Sequence, residues 1–112
     1  MSQKTTFQRS AKGNVTIADV NPDGRFIVLE NTHRNKEENM EGWRLKRKVD
    51  GSKDYVFTFP TGFVLRAGKS TKIWAKGHGG LNSPPDNMVF NDSNTWGIGK
   101  NVQTTLYNRD GE

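Results

Sequence analysis

The sequence predicts an all-β domain, an antiparallel β-sandwich of seven to nine short strands, from three observations. No window of about 11 residues repeats apolar positions at i, i+3, i+4 and i+7, so the helical period is missing. Short runs rich in Val, Ile, Thr and aromatic residues recur instead, several of them alternating apolar and polar positions with a period of two. Between them stand 12 glycines, 4 prolines and many Asn and Asp residues, the punctuation of tight turns. A chain of 112 residues holds one core, because a domain of this size removes roughly two-thirds of its unfolded surface from water.

The elements follow in order. Met1 to Lys12 is polar, carries Lys4, Arg9 and Lys12, and reads as a flexible lead-in to a domain over 13–112. Val15-Thr16-Ile17 begins the strands, and Asn21-Pro22-Asp23-Gly24 turns the chain into the β-rich run Phe26 to Glu30. Asn31 to Glu41 is too charged to pack and is expected to be a solvated loop exposing His33, Arg34, Lys36, Glu37 and Glu38. Trp43 and Leu45 then alternate with Arg44, Lys46 and Lys48, a strand with one wet face. Arg47 falls on the Trp43/Leu45 face, where an unpaired guanidinium would lose hydration without compensation, so a carboxylate is expected beside it. Glu30 ranks first for that role, ahead of Glu37, Glu38 and Glu41.

Asp50-Gly51 marks the next turn, Tyr55 to Phe59 alternates until Pro60 stops it, and Phe63-Val64-Leu65 follows. Ala67-Gly68 leads into Thr71 to Ala75; Gly77 to Asp86 is a loop; Met88 to Phe90 and Thr95-Trp96 are short segments; Val102 to Tyr107 closes the set. The expected core is Val15, Ile17, Ile27, Leu29, Trp43, Leu45, Phe57, Phe59, Leu65, Ile73, Trp74, Val89, Trp96 and Leu106, with all three tryptophans buried. Trp96, closely followed by two glycines, suits an aromatic plug at a tight backbone crossing. The strand number and chain length suit an immunoglobulin-like sandwich, and a barrel is the alternative.

Composition excludes several chemistries. With no cysteine there is no disulfide framework, thiolate metal site or cysteine nucleophile, which favours an intracellular chain. The longest apolar run is four residues, Phe26 to Leu29, so no membrane insertion is expected. The triplets Asn14-Val15-Thr16 and Asn91-Asp92-Ser93 are read as unglycosylated, because modification presupposes export. A formal net charge of +5 is ordinary for a small soluble domain.

His33 and His78 lie far apart in loops without a second ligand at metal spacing, and Ser83 before Pro84-Pro85 lacks the context of a nucleophile. Gly77-His78-Gly79-Gly80 and Gly97-Ile98-Gly99-Lys100 precede no helix that could hold a phosphate. No catalytic, cofactor-binding or metal residue is therefore nominated. The candidate interaction surface is Arg44, Lys46 and Lys48 with Arg66 and Lys72, although lysines on a strand also guard against edge pairing. No aromatic residues interleave with these charges to stack bases, so nucleic-acid binding should be weak and nonspecific at most.

Several collinear segments resemble the globular tail domain of lamins and lamin-like intermediate filament proteins. They are Gly13-Asn14-Val15, Asp23 to Asn31, Gly42-Trp43-Arg44-Leu45-Lys46-Arg47, Phe57-Thr58-Phe59-Pro60, Phe63 to Gly68, Lys72 to Ala75, Ser83-Pro84-Pro85 and Asn94 to Gly99. The resemblance implies an immunoglobulin-like sandwich placed after a coiled-coil rod. This chain shows neither a heptad tract nor a C-terminal prenylation box, so it reads as one domain of a longer protein.

Phe7 to Val15, Leu29 to Arg34 and Leu45 to Gly51 are more similar to invertebrate cytoplasmic intermediate filament tails than to nuclear lamins. The implied function is a noncatalytic structural and protein-interaction module of the cytoskeleton. Its implied partners are other filament subunits, through the absent rod, and cytoskeletal or junctional proteins. The alternative is a nuclear lamina protein whose tail contacts chromatin or inner nuclear membrane proteins. Thr58 and Gly62 stand where vertebrate lamin tails are basic, which weakens that alternative, while Arg66 keeps the charge at a third such position. Arg47 matches a basic family position, which implies a pairing role.

Overall fold

The computed structural model describes residues 6–10 as backbone, 13–51 and 53–111. Ten strands are present among them: β1 Thr6–Ser10, β2 Val15–Val20, β3 Phe26–Asn31, β4 Glu38–Asn39, β5 Arg44–Val49, β6 Lys53–Thr58, β7 Val64–Leu65, β8 Ser70–Ala75, β9 Asn87–Phe90 and β10 Asn101–Tyr107. Two four-stranded sheets, in the orders β1-β10-β5-β6 and β2-β3-β8-β9, form the sandwich, and β4 pairs with β7 in a third, two-stranded piece. Pairing is antiparallel as the turns predict, except that β1 runs parallel to β10 and β9 parallel to β8. The segment 6–10, expected to belong to a lead-in, is thus the edge strand of a sheet; residues 1–5 and 11–12 lie outside those described.

The first predicted turn forms as its residues dictate. Asn21 Oδ1 accepts from the backbone N–H of Asp23 and Arg25, and Gly24 N–H donates to Asn21 O at 3.0 Å. Strand β2 carries a bulge between Ile17 and Asp19, so two successive residues face water before Val20 returns to the core.

Strict alternation corrects two core assignments, and an edge position a third. Ile73 is fully buried, so its neighbour Trp74 must face the other way and is half-buried. Val89 is half-buried because Met88 and Phe90 take the inward positions on either side. Phe57, on edge strand β6, packs against the core while remaining partly exposed. The other expected core residues are buried, joined by Val20, Met40, Val49, Tyr55, Phe63, Ala75 and Val102. The expected solvated loop 31–41 is anchored at both ends by buried Asn31 and Met40 and contains β4; within it His33 and Glu38 are half-buried rather than fully exposed. Trp96 is fully buried from a loop, without the strand expected at Thr95-Trp96.

Candidate interaction surface

Strand β5 sits between β10 and β6, and its alternation divides its residues between two jobs. Leu45, Arg47 and Val49 point inward, while Arg44 is exposed and Lys46 and Lys48 are half-buried on the outer face. Positions two apart on a strand are about 6.8 Å apart, so the three cations form a straight row. Across the sheet Arg44 lies between Tyr107 and Thr58, Lys46 between Thr105 and Val56, and Lys48 between Gln103 and Asp54. The row runs from a hollow of about 200 Å³ lined by Arg44, Lys46, Val56, Tyr107 and Gly111 to one of about 410 Å³ lined by Lys48, Asp50, Gly51, Asn101 and Gln103. Val56, 40% exposed, adds an apolar contact between the charged positions.

Beneath this face Arg47 is 1% exposed. Its Nη1 donates to Thr104 Oγ1 at 3.3 Å and its Nη2 to the carbonyl oxygen of Gly97 at 3.1 Å. The inward assignment holds, but Glu30 does not serve it: Glu30 is an outward position of β3, in the other sheet. Among the described residues a hydroxyl and a backbone carbonyl are two of its partners, the carbonyl because the loop 95–97 enters the sandwich. That entry depends on glycine, since a Cβ at Gly97 would come within 2.7 Å of both Tyr55 and Val49. Trp96 fixes the loop from the other side. Its N–H donates to Gly24 O at 2.7 Å, its Nε1 donates to Ile73 O at 3.0 Å, and its ring stacks on Phe90 with centroids 4.3 Å apart.

The remaining sequence-nominated cations do not join the row. Lys72 lies on the outer face of the opposite sheet, its Nζ 4.3 Å from the Phe26 ring centroid and 5.0 Å from that of Trp74, a cation held by two aromatic faces. Trp74 is fixed in turn by Nε1 donating to Asn87 Oδ1 at 3.0 Å. Arg66 opens the turn between β7 and β8, where Lys69 N–H donates to Arg66 O.

Sequence reasoning missed the residue that holds this turn, Asn31, which is 1% exposed. Its Nδ2 donates to Leu65 O and Lys36 O, its backbone N–H donates to Lys69 O, and its carbonyl accepts from Gly68 N–H. Only its place at the end of an apolar strand hinted at burial. His33 Nδ1 accepts from the N–H groups of Asn35 and Lys36, and His78 Nε2 lies 2.6 Å from Asn94 O. Among the described residues no group of three or more His, Asp and Glu could hold a metal ion, and no helix is long and apolar enough to cross a membrane.

Two facing sheets closed over a buried tryptophan, without a helix among the described residues, define an immunoglobulin-like β-sandwich. The chain belongs to the lamin tail domain family: the family model described as Lamin Tail Domain matches residues 8–112. It is 59% identical over 111 residues to intermediate filament protein A of Ascaris suum, covering 99% of this chain and 22% of that protein. It is also 59% identical to the muscle cell intermediate filament protein AV71 of Acanthocheilonema viteae, covering 99% of this chain and 28% of that protein. Against intermediate filament protein ifb-1 of Caenorhabditis elegans the identity is 54%, over 100% of this chain and 19% of that protein. The chain therefore spans between about a fifth and a little over a quarter of these relatives, and corresponds to their structural tail module.

Proposed function

We propose that this domain is the noncatalytic protein-interaction tail of a cytoplasmic intermediate filament protein, and that its contact surface is the outer face of β10-β5-β6. The observation that carries this reading is the row Arg44, Lys46 and Lys48: three outward cations on a central strand, over a sandwich whose inward arginine is used up in packing. An acidic surface of a cytoskeletal or junctional partner complements it, and Val56 and Tyr107 give such a partner something apolar to cover. Assembly with other filament subunits is assigned to a rod outside this chain. Nucleic acid is the weaker ligand, because only three phosphates could be met along the row and Asp54 stands across from Lys48.

Site-specific photocrosslinking in the full-length filament protein tests this. A crosslinker at position 46 is expected to capture protein in a cytoplasmic network, while one at position 16, an outward site on the opposite sheet, captures little. Nuclear-rim localisation with capture of DNA from position 46 would support the lamina alternative instead.

A further inference from the structure

A second, separate site lies where β7 faces the loop before β9. Two adjoining hollows meet there, one of about 390 Å³ reaching Glu37 and one of about 350 Å³ reaching Lys69 and Asp86, and Arg66 and Pro85 form the wall common to both. Each falls within the roughly 300 to 1,000 Å³ of ordinary ligand sites.

Both walls are built to stay in place. On one side Asn31 grips the Leu65–Lys69 turn through three hydrogen bonds, to Leu65 O, to Lys69 O and from Gly68 N–H. On the other, Ser83 and Asn87 exchange backbone hydrogen bonds at 2.9 and 3.1 Å, and Lys72 N–H donates to Asp86 O at 3.0 Å, pinning the prolines between them. Arg66 itself is exposed. Its backbone is carried on a fixed turn between the two hollows, and a guanidinium there can take a carboxylate in bidentate fashion.

Each hollow pairs the shared Arg66 with one carboxylate, Glu37 in the first and Asp86 in the second, where Lys69 also lines the wall. We propose that this cleft binds an extended polypeptide segment of the pattern basic-x-acidic-x-basic, its carboxylate on Arg66 and its flanking cations toward Glu37 and Asp86. Alternate side chains of an extended segment share one face at about 6.8 Å spacing. The aliphatic stem of the lysine directed to Glu37 lies along Phe63, Val64 and Pro84, and that of the lysine directed to Asp86 along Leu65 and Pro85, while their ammonium groups reach the carboxylates. A phosphate backbone fits less well, because Glu37 and Asp86 would repel it at both ends. This site is independent of the β5 row.

The test is a ¹H–¹⁵N chemical-shift titration of the 112-residue chain with the peptide Ac-Lys-Val-Glu-Val-Lys-NH2. Saturable shifts are expected over 62–70 and 83–87 and not over 44–48. Arg66→Ala and the charge-swapped peptide Ac-Glu-Val-Lys-Val-Glu-NH2 should each weaken binding at least about tenfold. Lys46→Glu should leave binding unchanged, which separates this site from the β5 surface. Glu37→Lys with Asp86→Lys should reverse the preference toward the swapped peptide. Equal binding of the two peptides, unchanged affinity in Arg66→Ala, or shifts only on β5 would each overturn the proposal. So would a DNA duplex that shifts the same residues more tightly than the peptide.

Discussion

Arg47 on β5 donates to the carbonyl oxygen of Gly97, tying a central strand of one sheet to a loop 50 residues further along the chain. With Trp96 bonded to Ile73 O in the opposite sheet, that loop becomes a bridge between the two layers. Removing the guanidinium leaves Gly97 O and Thr104 Oγ1 buried without this donor. Arg47→Ala is expected to cost about 2 to 4 kcal/mol, from two buried acceptors each losing a donor, and Arg44→Ala or Lys46→Ala about 0 to 1 kcal/mol. Urea melts of the three variants check the ordering; equal midpoints would show that Arg47 contributes no more than a surface cation.

Gly97→Ala and Gly62→Ala form an internally controlled pair. Both glycines have positive φ, +88° and +77°, so both substitutions incur the backbone penalty. A Cβ at Gly62 meets nothing within 4 Å, whereas one at Gly97 presses on Tyr55 and Val49 at 2.7 Å. Gly97→Ala is expected to be the more destabilising by about 1 to 3 kcal/mol, read from the difference in urea midpoints.

The tryptophans separate by the same logic. Trp96→Ala should cost about 3 to 5 kcal/mol, since it empties the fully buried plug against Phe90. Trp74→Ala should cost less, because that ring lies on the outer face with Phe26 and Lys72. With the other tryptophans replaced by Phe and folding verified by urea melts, iodide should quench the emission of a variant retaining only Trp74 more strongly than that of one retaining only Trp96. Equal quenching would contradict the assignment of faces.

Reversing the charge row with Arg44→Glu, Lys46→Glu and Lys48→Glu should lower stability by no more than about 1.5 kcal/mol in total, most of it from Lys48→Glu facing Asp54, and should leave a cooperative urea transition. Residual binding of the unaltered chain to duplex DNA should be weak and should fall with log salt at a slope of about −2.7, three phosphates at about −0.9 each. A steeper slope would mean that a larger cationic surface takes part.

The sheet architecture was legible because alternation is a local signal. Arg44, Lys46 and Lys48 outside and Leu45 and Arg47 inside follow from a period of two alone. The same rule separates inward Ile73 from outward Trp74, although both are large enough to suit a core. What stayed hidden depends on contacts far apart in sequence. Nothing near Arg47 indicates that a glycine carbonyl from another loop would meet it, and nothing in Asn31 indicates that it would hold a turn reaching Lys69. Lys72 and Arg66 looked like neighbours of the basic strand in composition, yet the sandwich places Lys72 on its opposite face and Arg66 at a turn. Strand β1 was illegible for a similar reason, since its polar sequence joins the sheet by backbone pairing with β10.

The most direct test of the interaction surface is an isothermal titration of polyglutamate into the 112-residue chain and into the Arg44→Glu, Lys46→Glu, Lys48→Glu variant, at matched salt. Affinity is expected to fall at least about tenfold in the variant, about 1.4 kcal/mol of binding free energy, while it still unfolds in a cooperative urea transition and is folded under the titration conditions. Undiminished affinity in a folded variant would contradict the assignment of the β5 outer face as the contact surface.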